Sequence, residues 1–216
     1  MMAAVWANFF VTCTASFISI VLGTLAAYAL SRFTFKAGFV RNNDITFFFI
    51  SQRIMPPIVF SIPFFIFLSA IGLLDSLLGL VVVYIVLLMP IAVWIMVDFF
   101  NRVPKELDES ALIDGCSYFQ AFRFVIMPVM WPGVVTAGLF SMMLAYNDFT
   151  VTAMLLSFEN HTMVPKLQSY LGTNQHEGNM MWAVSSVVSA TAPLFMLVMF
   201  FQRQVISGLT AGAVKG

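Results

Sequence analysis

The sequence predicts an all-α fold, a polytopic bundle of transmembrane helices, and three observations predict it. Hydrophobic residues fill 61% of the 216 positions and charged residues 9%, with a formal net charge of zero. Five uncharged intervals each approach or exceed the roughly 20 apolar residues that a helix needs to cross a hydrocarbon core. The basic residues gather at alternate connections between those intervals. Such a composition excludes a soluble domain and a nucleic-acid-binding surface, and it makes membrane lipid the surroundings of the chain.

In order, the first span falls at 8–30, inside the uncharged stretch 1–31, where Gly23 and Ala27 would let a neighbouring helix come close. The second is predicted at 54–74 and the third at 76–97. The fourth covers 124–147, with an extension to 156, and the fifth covers 178–202. Pro56, Pro57, Pro63, Pro90, Pro132 and Pro193 lie within them as kinks, which neighbouring helices and hydroxyl side chains can accommodate. No basic segment precedes the first apolar stretch, so a cleaved signal peptide is not expected. Cys13 and Cys116 have no framework or metal-ligand spacing.

Orientation follows from the cations. Arg32, Lys36, Arg41 and Arg53 flank the first connection, Arg102, Lys105 and Arg123 the central one, and Arg203 and Lys215 the tail. With five spans, nine of the ten basic residues share a face, Lys166 being the exception, and the positive-inside rule makes that face cytoplasmic. The turn at 72–75, the loop at 157–177 and Met1 are then external. An amino terminus outside the cell leads to the expectation that a preceding span is missing from this chain.

The chain is organised around the polar interval 104–128. Pro104 has the φ suited to a first helical position, and Glu106, Asp108 and Glu109 favour the positive end of a helix dipole, so a helix is predicted over 105–114. Leu107, Ala111 and Asp114 share one face of it. Gly115 supplies a left-handed stop, and Ser117 with Gln120 reads as a capping box that starts a second helix running into Pro128. Helix, tight turn, helix is the result. The pattern fits a hairpin lying on the membrane surface as well as one gripped by a soluble partner.

No phosphate-binding loop, metal-spaced His/Cys set or nucleophile–base pair occurs, so the chain is expected to be a non-enzyme that binds no cofactor or metal of its own. His161 and His176 read as solvated loop residues. Asp148 is the acidic residue at the edge of a long apolar run, and with Tyr146 and Asn147 it is a candidate for a substrate pathway or gate. At 1.5 Å per residue it lies about 30 Å up a helix from Pro128, so a carboxylate in interfacial water is the other reading.

Glu109-Ser110-Ala111, three residues, Gly115, nine residues, Val125, one residue and Met127-Pro128 resemble the EAA signature of ABC-importer permeases, E-A-A-x3-G-x9-I-x-L-P. Ser110, Val125 and Met127 depart from it while keeping size or apolarity. VPKELDESALIDG at 103–115, SQRIMPP at 51–57, YNDF at 146–149 and GLTAGAVKG at 208–216 resemble the carbohydrate-uptake branch, the relatives of the maltose permeases.

The resemblance covers essentially the whole chain and implies a MetI-like permease fold of six spans, of which this chain would lack the first. It implies one permease domain over 1–216 in the bacterial cytoplasmic membrane, with a coupling loop at 98–128 and a cytoplasmic tail at 208–216. It implies as partners a second permease subunit, an ATPase dimer holding ATP and Mg, and an external substrate-binding protein. Glu106, Leu107, Glu109, Ser110, Ala111, Asp114, Gly115 and Pro128 would couple to the ATPase, with Ser110 tolerated where the family has a methyl group. Gly208, Leu209, Thr210 and Gly212 of the tail would also contact the ATPases. The cargo would be a sugar or polyol. An ion-coupled secondary transporter would show charges at mid-span, which the intervals above lack, and a membrane scaffold would have no reason for the hairpin spacing.

Overall fold

The structure, a computed structural model, describes residues 2–37, 40–157, 159–172 and 177–213. It is helical almost throughout. Helix α1 (Met2–Arg32) leads to a two-residue antiparallel pair, β1 (Lys36–Ala37) and β2 (Val40–Arg41), then α2 (Asn42–Ile54), α3 (Pro57–Ala70) and α4 (Leu77–Arg102). The hairpin follows as α5 (Glu106–Ile113) and α6 (Tyr118–Gln120). A π-helical stretch (Ala121–Ile126) joins α6 to α7 (Met127–Tyr146), and α8 (Thr150–Leu155), α9 (Met163–Gly172) and α10 (Glu177–Ala213) complete the chain.

Among the described residues, four helices are long and apolar enough to cross a membrane: Met2–Arg32, Leu77–Arg102, Tyr118–Tyr146 and Val184–Gln204. Helices α2 and α3 make a fifth crossing if they count as one span bent by 93°. The predicted second span therefore exists as a broken element. Pro56 and Pro57 break it, because a residue before proline is pushed out of the helical region; Met55 and Pro56 are extended, with ψ of 135° and 138°. Helix α2 occupies what the sequence presents as connection, since its first half is polar.

The core is built from α1, α4 and α7. A Cβ placed on Gly23 would lie 2.7 Å from the Ala92 Cβ, so α1 and α4 pack with their backbones almost touching, the close approach expected there. At one end of the bundle Ile20, Tyr28, Met96, Phe100, Ile126 and Met130 interlock, and this end carries the hairpin. Toward the other end Val11, Leu80, Tyr84, Val151 and Leu155 do so. Elsewhere large apolar side chains face outward, such as Phe17, Ile66 and Phe200 at 69%, 65% and 77% exposure. That arrangement suits a chain whose solvent is lipid.

Several boundaries differ from expectation. The fourth span stops at Tyr146 and does not extend to 156, because the chain leaves the helix at Asn147 and Asp148, and the Asp148 carboxylate accepts N–H groups from the first turn of α8. The loop at 157–177 contains α9, whose Met163 is buried with Val5 and Tyr146, and His161 is half-buried rather than fully solvated. His176 and Lys215 lie outside the described residues. Helix α10 continues past the spanning segment Val184–Gln204 and through Gly208, Leu209, Thr210 and Gly212, so the described part of the tail is helical. At 1.5 Å per residue the 37 residues of α10 are about 55 Å long, more than a bilayer core requires.

Candidate functional site: the hairpin, its anchor and the cavity above it

Helix α5 begins at Glu106, one residue later than expected, and Pro104 stands outside it, its carbonyl accepting the Leu107 N–H at 3.4 Å. At the other end Gly115 has φ of +88°, a conformation natural to glycine. The Gly115 N–H donates to the Leu112 carbonyl at 3.1 Å and the Cys116 N–H to the Ala111 carbonyl at 3.0 Å. These two bonds are a Schellman closure, which satisfies carbonyls that a helix end leaves open. Ser117 then caps the next helix as read from the sequence: its Oγ accepts the Gln120 N–H at 3.3 Å, and Gln120 Oε1 accepts the Ser117 N–H at 2.8 Å. The turn is thus fixed by local bonds on both sides.

The face shared by Leu107, Ala111 and Asp114 is not buried as a unit. Asp108 and Ala111 are buried, whereas Leu107 and Asp114 are exposed. Asp108 Oδ2 accepts Arg32 Nε–H at 2.7 Å, and Oδ1 accepts the Tyr28 hydroxyl at 2.7 Å. Arg32 also donates to the Phe100 and Val103 carbonyls at 3.3 and 3.0 Å, at the end of α4. One carboxylate and one guanidinium therefore tie the hairpin to the ends of α1 and α4. Both side chains are nearly enclosed, at 6% and 11% exposure, so the pair needs these extra hydrogen bonds to offset its desolvation.

Outward, α5 and the turn present Glu106, Leu107, Glu109, Ser110, Asp114 and Gly115, with Ile113 at 85% exposure beside them. Of the eight residues singled out in the sequence, these six form one surface. Ala111 faces the bundle instead, where its small size lets α5 sit close. Pro128 is exposed in the first turn of α7, beyond the π-helical stretch, and not on the hairpin tip. Proline has no N–H and its ring crowds the carbonyl four residues back, so the chain widens here: the Met127 N–H reaches the Phe122 carbonyl, five residues back.

Tyr146, Asn147 and Asp148 separate in space. Tyr146 is 1% exposed, donates its hydroxyl to the Ala190 carbonyl, and its own carbonyl accepts Asn8 Nδ2–H at 3.1 Å, which joins α1, α7 and α10. Asn147 is exposed and bonds back to the Met143 carbonyl at 2.8 Å. Asp148 alone of the three reaches a cavity of about 110 Å³, lined also by Gln52, Arg53, Tyr84 and Pro90. Its Oδ2 accepts the Val151 and Thr152 N–H groups at 3.0 and 3.2 Å and the Tyr84 hydroxyl at 3.1 Å.

Residues 19–210 match the family described as "Binding-protein-dependent transport system inner membrane component". The chain belongs to this family. It is a multi-pass permease of the bacterial inner membrane and a transport subunit, not an enzyme. It is similar to the trehalose transport system permease protein SugB of Mycobacterium tuberculosis, at 34% identity over 92% of this chain and 72% of that protein. It is also similar to the sulfoquinovosyl glycerol transport system permease protein SmoH of Agrobacterium fabrum, at 33% identity over 97% of this chain and 72% of that one. Its fold resembles the MetNI methionine ABC transporter in an inward-facing conformation, with a TM-score of 0.74 and 17% identity, covering 96% of this permease and 95% of the solved chain. The all-α permease fold expected from the sequence is thus found.

Membership also decides between transporter classes, in favour of an ABC-importer permease and against an ion-coupled secondary transporter.

Proposed function

We propose that this permease forms one half of the membrane pathway of an ATP-driven importer for a sugar or polyol. A second permease subunit completes the pathway, an external binding protein delivers the cargo, and a separate ATPase dimer, holding ATP and Mg, supplies the energy. The chain is one permease domain that binds no cofactor itself, its 98–128 segment is the coupling loop, and the hairpin end of the bundle faces the cytoplasm.

The observation that carries this reading is the hairpin. Glu106, Glu109 and Asp114 stand beside exposed Leu107 and Ile113 on a helix that the bundle anchors rigidly from behind. An exposed apolar patch rimmed by carboxylates, outside the spanning segments, fits docking into a basic-rimmed cleft. Ala111 and Gly115 let the hairpin sit close and turn, and Pro128 starts the span that would receive its motion. Names of relatives that carry trehalose and a sulfoquinovosyl glycoside support a carbohydrate-like cargo. The end of α10, with Gly208, Leu209, Thr210 and Gly212, is a second contact with the ATPases; deleting 210–216 should change the hydrolysis rate of the assembled complex.

The test is Glu109→Lys and Gly115→Asp in the complete importer. Both variants should insert in the membrane at normal levels and lose uptake together with binding-protein-stimulated hydrolysis. Normal uptake in both would refute the coupling role.

A further inference from the structure

Arg53 sits at the elbow of the broken α2–α3 element, and its depth can be counted from a fixed point. Asn42, the first residue of α2, bonds through Nδ2 to the Leu30 and Phe33 carbonyls at 2.6 Å each, beside the hairpin end of α1. The 13 residues of α2, at 1.5 Å each, carry the chain about 20 Å from there toward the other end. The cavity at the elbow is also lined by Pro90, the fourteenth of the 26 residues of α4. Arg53 is therefore at mid-height of the bundle.

A cation at that depth is costly unless it faces water, a partner or a polar ligand. Arg53 is exposed and takes part in neither ion pair found among the described residues, Arg32–Asp108 and Arg102–Asp98. The same cavity holds the Asp148 carboxylate, pinned through Oδ2 while Oδ1 accepts no hydrogen bond among the described residues. Gln52 adds an amide. The cavity thus offers a guanidinium fork, an open carboxylate oxygen and an amide, with its two full charges offsetting each other.

From this arrangement we infer that the elbow cavity is a cargo subsite of the pathway, in which Arg53, Gln52 and Asp148 hold vicinal hydroxyl groups of an uncharged polyol or sugar. A guanidinium donates in parallel to two adjacent oxygens, and a carboxylate oxygen accepts from a hydroxyl. Charge balance selects against an anionic cargo, which would need a net positive wall. Helices broken near mid-membrane are where transporters place such sites, because the break frees polar groups to face a cavity. At about 110 Å³ the cavity takes a diol-sized part of a sugar. This inference rests on the importer reading and goes beyond it in naming the contacts and the charge of the cargo.

The test uses the complete importer in proteoliposomes, without accessible thiols elsewhere, after Cys13→Ser and Cys116→Ser. Leu87→Cys on the cavity wall serves as reporter for a membrane-impermeant thiosulfonate. The reporter should be labelled, and sorbitol and trehalose should slow the labelling. Gluconate, a six-carbon acid of sorbitol's length, should protect about tenfold less, and Arg53→Gln should weaken sorbitol protection by about tenfold, as loss of a charged hydrogen-bond donor does. Arg53→Lys, which keeps the charge without the fork, should protect at an intermediate level.

No labelling with or without vanadate trapping, no protection by either neutral compound, equal protection by gluconate, or indifference to Arg53→Gln would each overturn the inference. Failure of the importer reading shows separately, as the absence of vanadate-sensitive hydrolysis in the purified complex.

Discussion

Arg32 and Asp108 are 76 residues apart in sequence and 2.7 Å apart in space, and their pairing makes the hairpin an extension of the bundle rather than a loop hung from it. A force applied to α5 reaches α1 through the guanidinium and α4 through its bonds to the Phe100 and Val103 carbonyls. Asp108→Ala would leave that guanidinium buried without its counter-ion, at a cost of about 3–5 kcal/mol. Thermal unfolding of the purified complex should show the loss. Asp108→Leu combined with Arg32→Met should recover most of it while still uncoupling hydrolysis from uptake, since the fill is restored and the tie is not.

Gly23 is predicted to be intolerant of any side chain. A Cβ there meets the Ala92 Cβ at 2.7 Å and its backbone carbon at 3.2 Å, so Gly23→Ala forces α1 from α4 and should cost about 1–3 kcal/mol. Ala92→Gly in the same chain should restore thermal stability. If the double variant is no better than the single one, the contact is not what limits that position.

At Gly115 the cost is conformational alone, because φ is +88° and, among the described residues, a Cβ at this position would meet no atom within 4 Å. Gly115→Ala should weaken the hairpin by about 1–2 kcal/mol and Gly115→Asn by less, since asparagine enters the left-handed region more readily. Hydrogen exchange at Cys116 and Gly115, whose N–H groups close the turn, would rank the variants.

On the far side, Asp75 has φ of +60° and its Oδ1 accepts the Ser157 N–H at 2.7 Å, tying the turn after α3 to the segment after α8. That bond, the main cause, holds the Asp75 carboxyl below its ordinary value. A depressed carboxyl stabilises the fold fully above the unfolded value, about 3.9, and the contribution is lost as pH falls through the lower folded value. Protease sensitivity around Ser157 should therefore rise in acid. In Asp75→Asn, which tolerates the same φ, that dependence should vanish.

The sequence is most legible where the rules are local. Gly115 as a helix stop and Ser117 with Gln120 as a capping box depend on neighbours within a few residues, and the structure forms both. The close approach at Gly23 is readable for the same reason, since a small residue on an apolar helix has little other use. The anchoring role of Asp108 is not, because its partners Tyr28 and Arg32 lie 80 and 76 residues away. The depth of Arg53 is hidden because hydropathy counts charges without measuring depth, and Pro56-Pro57 signals the break without giving its direction. Asp148 ahead of Val151 and Thr152 is a helix-capping pattern that stops the fourth span at Tyr146, and the apolar run that follows it masks that signal.

The central claim is that α5 is gripped by a nucleotide-hydrolysing partner. Glu109→Cys, in a chain with Cys13→Ser and Cys116→Ser, should cross-link within the assembled complex to the ATPase subunit, with a yield that changes when vanadate traps the nucleotide. A Glu109→Cys thiol that captures no ATPase subunit, or that a membrane-impermeant reagent reaches from outside intact cells, would contradict it.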